Sequence, residues 1–427
     1  MTDRLLAARD ALKSWLLNDA YPLWWEAGYD HVNGGFQEKL NLDGTPTQAP
    51  RRARVQPRQI FAYAVAGELG WNGPWVEVVQ SGLDWYQAHY FRPDGLIRTL
   101  VAPDGSPLDD SVVLYDQAFG LFALATAYAA LGKPAGLAQR ADTLLAQLKA
   151  TLKHPIGGFE EASPRVLPLL SNPHMHLFEA SLAWTEAGGA AHWRDLADEI
   201  ADLALSHFID PVSGGLREYF DGDWKPVAGI DGRIVEPGHQ FEWAWLLLRW
   251  AKIAGREDAA AAARRLIAIG EGPGVDPARG VAMNQLLDDM SVHDAQARLW
   301  PQTERIKAHV LAGNDEGVAA GAEGLFKYFD TPVKGLWRDR LNADGTFVQE
   351  PAPASSFYHI VCAILELDRA VEAIAHLDRG AWDACELDVH LPRGCVEDLH
   401  GKAGHPVVLV EVGVGVVVRR SGDSNRG

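Results

Sequence analysis

The 427-residue sequence predicts an all-α protein in which six inner and six outer helices form a toroid, the (α/α)6 barrel. A glycine-containing loop returns about every sixty residues, apolar helices begin at regular places between the loops, and amphipathic segments alternate with them. Six repeats of this kind close most economically into one ring. We therefore expect residues 1–380 to form a single domain, although a chain of this length would ordinarily suggest about two or three domains.

The outer helices are predicted by segments that have one polar face. These segments are Asp3–Leu17, Val76–Tyr90, Ala135–Leu152, Trp193–Phe208, Asp258–Ile269 and Asn314–Tyr328. Between them lie stretches that are apolar nearly all round, such as 119–131 and 241–250, which predict buried inner helices. Proline stands near the first position of four inner helices, where its missing N–H costs nothing.

The glycine loops begin with one or two glycines followed by an apolar residue. Six copies occur, at Gly34-Gly35-Phe36, Gly95-Leu96, Gly157-Gly158-Phe159, Gly214-Gly215-Leu216, Gly280-Val281 and Gly335-Leu336-Trp337. An Asp-Gly turn follows three of them, at Asp43-Gly44, Asp104-Gly105 and Asp344-Gly345. We expect these loops to form short hairpins at one mouth of the barrel.

Residues 381–427 break the repeat and are predicted to form an atypical C-terminal appendage without an assigned role. The valine-rich stretch 407–418 predicts a strand, and we expect disorder beyond Arg419. No stretch of the sequence reaches the ~18 consecutive apolar residues of a membrane span.

The formal net charge of −18 argues against partners that are bound through clustered Lys and Arg, namely nucleic acids and anionic membranes. The three cysteines have no regular spacing, which predicts neither a disulfide framework nor a zinc finger. The N-terminus has the pattern of an amphipathic helix rather than of a signal peptide. We therefore expect a cytoplasmic monomer or homodimer that acts on a small molecule.

Polar side chains cluster where the six inner helices begin, and in a toroid those beginnings share one mouth. They are Arg58, Asp116 and Gln117, His174 and His176, His239 and Glu242, Gln302 and Glu304, and His359. Polar groups at the start of otherwise apolar helices are costly to bury unless they are used. Their convergence predicts a binding or catalytic site at this mouth.

Histidine can accept and donate protons near neutral pH, so three spaced histidines favour acid–base chemistry. Glu179 follows His176 by three residues, which places both on one helical face. The same spacing joins His239 and Glu242. Arg58 could hold a hydroxyl group or stabilise an oxyanion.

The residues alone leave other interpretations open. Two histidines and two glutamates could instead bind a divalent metal ion. A glycosidase would need two opposed carboxyls, which Asp109-Asp110, Asp116, Asp288-Asp289 or Glu304 could supply. The arginines Arg51, Arg52 and Arg54 are either solvated or recognise an anionic group such as a phosphate.

Six motifs in order carry a resemblance to a known family. They are Val55-Gln-Pro-Arg58-Gln, Leu114-Tyr-Asp-Gln-Ala-Phe119, Asn172-Pro-His-Met-His-Leu-Phe-Glu-Ala180, Pro237-Gly-His-Gln-Phe-Glu-Trp243, Leu299-Trp-Pro-Gln-Thr-Glu304 and Tyr358-His359. Together they resemble the N-acylglucosamine 2-epimerase superfamily over residues 1–378. The resemblance implies an (α/α)6 barrel and sugar isomerase chemistry without a cofactor or catalytic metal. The appendage after residue 380 departs from the family pattern.

The resemblance also implies that Arg58, His176, His239, Glu242 and His359 line the sugar site. We expect mannose and fructose to be interconverted through an enediolate, with His359 as general base and His239 as its acid–base partner, oriented by Glu242. His176 would assist ring opening or hold sugar oxygens, and Arg58 would stabilise the enediolate. The other expected substrate-binding residues are Asp116, Gln117, Asn172, Glu179, Trp300, Gln302, Glu304 and Tyr358.

Three alternatives to mannose–fructose isomerisation remain at this point. A 2-epimerase of N-acylglucosamine or of a glucosyl disaccharide would use the same chemistry. A mannose-6-phosphate isomerase would be distinguished by Arg51, Arg52 and Arg54. A non-catalytic binding barrel is disfavoured by the intact set of His176, His239 and His359.

Overall fold

A computed structural model of the chain describes residues 3–387, 409–411 and 416–418. The chain divides into two compact units, Met1–Glu372 and Ala373–Gly427. The α-helices of the described residues are α1 (Asp3–Trp15), α2 (Tyr21–Glu26), α3 (Val55–Ala64), α4 (Trp75–Tyr90), α5 (Leu114–Ala130), α6 (Ala135–Leu152), α7 (Ser171–Glu186), α8 (Ala191–Leu203), α9 (Pro237–Ala254), α10 (Glu257–Glu271), α11 (Trp300–Ala312), α12 (Asp315–Phe326) and α13 (Ser355–Leu387).

The inner ring of the barrel consists of α3, α5, α7, α9, α11 and the first part of α13. Successive inner helices pack on one another from α3 to α11. The ring centroids of Phe61 and Tyr358 lie 5.4 Å apart, and those of Trp300 and His359 lie 5.7 Å apart, so α13 sits between α11 and α3. The predicted (α/α)6 barrel is therefore confirmed.

The outer ring is formed by α1, α4, α6, α8, α10 and α12. The last five each pack on the inner helix that precedes them in the chain. The first, α1, contacts α12 and forms ion pairs with Asp368 of α13. Two outer helices carry a π-helical turn, Leu16–Ala20 after α1 and Ala204–Phe208 after α8. Short 3₁₀ turns occur at Asp231–Arg233 and Lys327–Phe329. The predicted segment Ala135–Leu152 coincides with α6, because its buried leucines recur at helical spacing.

Short antiparallel strands confirm the predicted hairpins and connect the repeats. Each strand that leads into an inner helix pairs with a strand of the next glycine loop. The pairs are Arg51–Arg52 with Leu100–Val101, Val112–Val113 with Ala162–Ser163, Leu169–Leu170 with Tyr219–Phe220, Ile234–Val235 with Gln285–Leu287, and Ala297–Arg298 with Arg340–Leu341. Lys39–Leu40 pairs with Ala352–Pro353, which joins the first loop to the last helix and closes the circle. Pro107–Asp109 adds to Leu100–Val101, Val292–Asp294 adds to Gln285–Leu287, and Val275–Asp276 pairs with Val281–Ala282.

A buried side chain near the start of each inner helix from α3 to α11 fixes the glycine loop that precedes it. Gln56 accepts a hydrogen bond from the Phe36 N–H and donates one to the Phe36 carbonyl, both at 2.8 Å. In α7 the corresponding side chain is His174, whose Nε2 accepts a hydrogen bond from the Phe159 N–H at 2.9 Å. The same two-bond pattern joins Gln117 to Ile97, Gln240 to Leu216 and Gln302 to Ala282. These clamps satisfy backbone groups that would otherwise be buried without partners.

In the second unit, Leu409–Glu411 pairs antiparallel with Val416–Val418, within the stretch predicted to form strand. The predicted disorder beyond Arg419 falls outside the described residues, and the domain boundary at 380/381 stays a prediction. Among the described residues, none of the helices combines the length and apolarity that crossing a membrane requires.

Candidate active site

The beginnings of the inner helices surround a cavity of about 290 Å³. All five predicted catalytic residues line it, together with the predicted Asn172 and Trp300; the five are Arg58, His176, His239, Glu242 and His359. Sequence reasoning missed several lining residues, and these are Tyr115, Leu170, Glu218, Tyr219, Glu236, Arg298, Ser355 and Ser356.

The remaining predicted binding residues do not line this cavity. Gln117 and Gln302 are fully buried, and their amides are used by the loop backbone. Asp116 is fully buried and accepts a hydrogen bond from Arg54 Nε at 3.0 Å. The other three, Glu179, Glu304 and Tyr358, lie directly behind the histidines and contact them or their partners.

His359 is positioned as a neutral base. Its Nδ1 lies 2.8 Å from Glu304 Oε1, so the carboxylate holds Nδ1–H and leaves Nε2 free to face the cavity. Burial, reinforced by the nearby charges of Arg58 and Lys307, holds the pKa of His359 well below its usual value. The imidazole is therefore uncharged at neutral pH.

His239 has the opposite character. Its Nδ1 lies 2.9 Å from Glu218 Oε2 and 3.3 Å from Glu236 Oε2. Burial alone would lower the pKa of His239, but the two carboxylates outweigh burial and raise the pKa to about 10. His239 is therefore an imidazolium at neutral pH, able to donate a proton.

The partner of His239 Nδ1 differs from the expected Glu242. His239 is the third residue of α9, and side chains in a helix lean toward its N-terminus. That direction brings the ring to the preceding loop, which carries Glu218, while Glu242 lies almost one turn deeper. The expectation that Glu242 orients His239 is corrected accordingly, and Glu242 remains a lining residue that approaches His176 Nδ1 at 4.0 Å.

His176 and Glu179 do pair, as their spacing predicts, with 3.4 Å between His176 Nδ1 and Glu179 Oε2. Tyr358 donates its hydroxyl to the other oxygen of Glu179. Burial lowers the pKa of His176 to about 4 against the pull of Glu179, so this ring is also neutral. Burial would raise the pKa of Glu179, but its hydrogen bond with His176 and the charge of Lys307 lower it to about 2.

Arg58 brings a positive charge to the cavity wall. Its guanidinium donates to the Tyr115 hydroxyl at 2.6 Å and stacks on the Phe119 ring at 4.3 Å from the centroid. Within the described residues, the buried Arg58 Nε, Asn172 Oδ1, Glu218 Oε1 and Glu242 Oε1 have no hydrogen-bond partner. A ligand with several hydroxyl groups would satisfy such atoms.

Three groups of side chains bring potential metal-ligand atoms within 4.8 Å of one another. They are His176–Glu179–Glu242, Glu218–Glu236–His239 and Glu242–Glu304–His359. In each group the histidine Nδ1 already binds a carboxylate. The expectation of metal-free chemistry stays a prediction, to be tested in chelator.

The three arginines considered for phosphate recognition hold the loops instead. Arg51 is fully buried rather than solvated, and it binds Asp30 and the Gly34 carbonyl. Arg52 pairs with Glu38 at 2.8 Å, and Arg54 pairs with Asp116. None of these arginines lines the cavity.

The acidic pairs considered for a glycosidase lie away from the cavity. Asp109 accepts hydrogen bonds from Ser111 within its own turn. Asp288 and Asp289 pair with Arg233. Glu304 is hydrogen-bonded to His359 Nδ1 behind the cavity wall. These carboxyls therefore do not form a pair that faces each other across the cavity.

Comparison with known proteins identifies the family of the chain and supports its fold. Residues 34–363 match the family model of N-acylglucosamine 2-epimerase. A mannose-6-phosphate isomerase of Rhizobium meliloti (strain 1021) is 50% identical over 370 residues, which is 84% of this chain and 96% of the relative. A D-mannose isomerase of Thermobifida fusca is 28% identical over 372 residues, 79% of this chain and 89% of the relative. The cellobiose 2-epimerase structure from Spirochaeta thermophila DSM 6192 superposes with a TM-score of 0.77 at 21% identity, covering 87% of this chain and 98% of that one.

Proposed function

Because the chain belongs to the N-acylglucosamine 2-epimerase family, whose relatives are sugar epimerases and isomerases, we propose that it interconverts mannose and fructose through an enediolate. One observation carries the proposal. His359 is neutral and His239 is cationic, and both line one cavity and pack on Trp300, with ring centroids 5.7 Å and 5.0 Å from it. Two groups whose pKa values are pushed apart in this way are suited to the roles of base and acid.

The chemistry begins with the open-chain aldose, whose C2 proton is acidified by the C1 carbonyl. His359 Nε2 removes that proton, and His239 gives its proton to O1, which produces the enediol. His359 then delivers the carried proton to C1, while the now neutral His239 removes the hydroxyl proton of O2, so that the C2 carbonyl forms. The product is the ketose, and both histidines regain their starting charge.

The other cavity residues support this sequence. Arg58 has an unpartnered Nε–H, and its charge stabilises negative charge that develops on O1 or O2. His176, held by Glu179, is neutral and can accept a hydrogen bond from a sugar hydroxyl or assist ring opening. Proton return to the opposite face of C2 would make the enzyme a 2-epimerase instead.

A second candidate substrate is mannose 6-phosphate, which the name of the 50% identical relative favours. Arg298 is the cation at the cavity edge that a phosphate would meet, and it also lines the adjoining groove. Its side chain is 44% exposed and pairs with Asp339 at 3.1 Å. Arg298→Gln would then raise KM for mannose 6-phosphate while leaving KM for mannose nearly unchanged.

Proton NMR in D2O with excess EDTA tests the proposal. Mannose should give fructose with deuterium at C1, and mannose 6-phosphate should be followed in parallel. Glucose as the sole product from mannose would assign 2-epimerisation, and activity only after metal is restored would overturn the metal-free reaction. Conversion of neither substrate would reject mannose-type isomerisation, after which N-acetylglucosamine and cellobiose would be assayed.

A further inference from the structure

Behind the cavity wall lies a buried charged side chain that the proposed steps do not touch. Lys307 on α11 is fully buried, and its Nζ lies 2.6 Å from Glu304 Oε2. Glu304 uses its other oxygen, Oε1, to bind His359 Nδ1 at 2.8 Å. Lys307, Glu304 and His359 therefore form a chain of charged and polar contacts that leads from the barrel interior to the cavity.

The surroundings of this chain are rich in carboxylates. Lys307 Nζ lies 3.7 Å from the centroid of the Trp245 ring, and Tyr358 is 5.9 Å away on α13. The other titratable groups that face Lys307 are the carboxyls of Glu179 and Glu242 and the buried thiol of Cys362, whose pKa burial raises. Those that act on His359 besides Glu304 are Arg58, Lys307, His176 and Glu179, and Glu242 lies in the same cluster.

A buried carboxylate without a cation becomes protonated, because desolvation disfavours its charged form. Burial raises the pKa of Glu304, and the ion pair with Lys307 opposes that rise. A protonated Glu304 would donate its proton to His359 Nδ1 instead of accepting one. The hydrogen of His359 would then sit on Nε2, which could no longer accept the C2 proton of a substrate.

We propose that Lys307 is a positioning residue whose charge keeps Glu304 ionised and thereby fixes His359 in the Nδ1–H form, with its Nε2 lone pair toward the substrate. This inference rests on the proposed function only for its catalytic consequence. The tautomer of His359 is a property of the resting protein and can be measured without turnover.

The first test is ¹⁵N NMR of protein with labelled histidine, in which the His359 signals are assigned by their loss in His359→Asn. The full chain should show the Nδ1–H tautomer, and Lys307→Met should show the Nε2–H tautomer. Glu304→Gln is the second variant, since its amide can donate to Nδ1, and it should give the same reversal even if Lys307→Met fails to fold. An unchanged Nδ1–H tautomer in either folded variant would refute the role of this chain.

The second test uses the isomerase assay. Lys307→Met should lower kcat about 100-fold with little change in KM, the scale of losing one acid–base group. Activity requires ionised Glu304, so a higher pKa of Glu304 should move the acidic limb of the pH–rate profile to higher pH. Adding Lys307→Met to Glu304→Gln should lower kcat little further, because both substitutions act through the Glu304 carboxylate. If the wild type is inactive, the proposed function is rejected, while the tautomer result is unaffected. If the wild type is active and the acidic limb of the pH–rate profile does not move in Lys307→Met, the inference is rejected.

Discussion

The two sides of the cavity each place a buried histidine against a carboxylate, yet they give the two rings opposite charges. Two carboxylates, Glu218 and Glu236, face His239, and its pKa is raised to about 10. His359 Nδ1 contacts Glu304, whose other oxygen pairs with Lys307. Burial, reinforced by the charges of Arg58 and Lys307, holds the pKa of His359 well below its usual value. Contact with a carboxylate therefore does not decide the charge of a histidine, because burial and the cations nearby also act on its pKa.

The largest effect on activity is expected from replacing His359, the neutral histidine. His359→Asn should lower kcat about 10²–10⁴-fold, because the group assigned to carry the C2 proton is lost. Deuterium incorporation from D2O should fall in parallel, and the circular dichroism spectrum should stay unchanged. The exposed His293 offers a matched control, and His293→Asn should keep wild-type activity. Substantial turnover by His359→Asn would remove the assignment of the base.

A smaller effect is expected from weakening the cationic side. Glu218→Gln removes a carboxylate from His239, so its pKa should fall from about 10. His239 must be protonated to donate, so activity is lost as pH rises through its pKa, and the basic limb of the pH–rate profile should move to lower pH. If the pKa falls by about one unit, kcat should drop about twofold at pH 9 and approach a tenfold loss well above pH 10, because one pKa unit is a factor of ten in the protonation equilibrium.

The control for this change is Glu38→Gln. Glu38 is likewise buried and stands two residues after the clamped apolar residue of its loop, but it binds Arg52. Its loss should lower the thermal unfolding temperature without moving the basic limb. If the basic limb of the pH–rate profile stays in place in Glu218→Gln, the Glu218 carboxylate does not raise the pKa of His239, and the electrostatic explanation of the difference between the two histidines is wrong.

The smallest effect on catalysis is expected from the scaffold beside His239. Gln240→Ala breaks two hydrogen bonds to Leu216 and leaves both backbone groups buried, so the free energy of unfolding should fall by about 2–4 kcal/mol. Urea denaturation would measure this loss, and Gln56→Ala should give a similar one. The basic limb should remain that of the wild type; a displaced limb would mean that loop geometry, rather than charge, sets the pKa of His239.

Much of this architecture could be predicted from the sequence, because apolar periodicity and glycine spacing are local signals. The positions of Arg58, His176 and His359 followed from their place at helix starts. The roles of Gln117 and Gln302 could not be predicted, because a polar residue at a helix start can serve either a ligand or the backbone.

Glu218 was missed although the sequence carries a signal for it. In four of the glycine loops an acidic residue stands four positions after the first glycine. These residues are Glu38, Glu161, Glu218 and Asp339. All four are buried. The repeat marks them as a set, but only the fold shows that Glu218 alone of the four meets a catalytic histidine candidate. Helical i,i+3 spacing correctly predicted the contact between His176 and Glu179. The same spacing gave the wrong partner for His239, because its ring leans toward the preceding loop and meets Glu218 rather than Glu242.

The strand pair that closes the ring has a consequence for how the barrel forms. Lys39–Leu40 and Ala352–Pro353 are more than 300 residues apart in the chain. During synthesis the first repeat must wait for the last before this pair can form, so loop-closure entropy and the exposed edge of the unfinished ring oppose folding until late. The other pairs join neighbouring repeats and can form as the chain lengthens. A circular permutant opened in another glycine loop would keep all the pairs but move the late step to a different place, altering the folding rate more than the final stability.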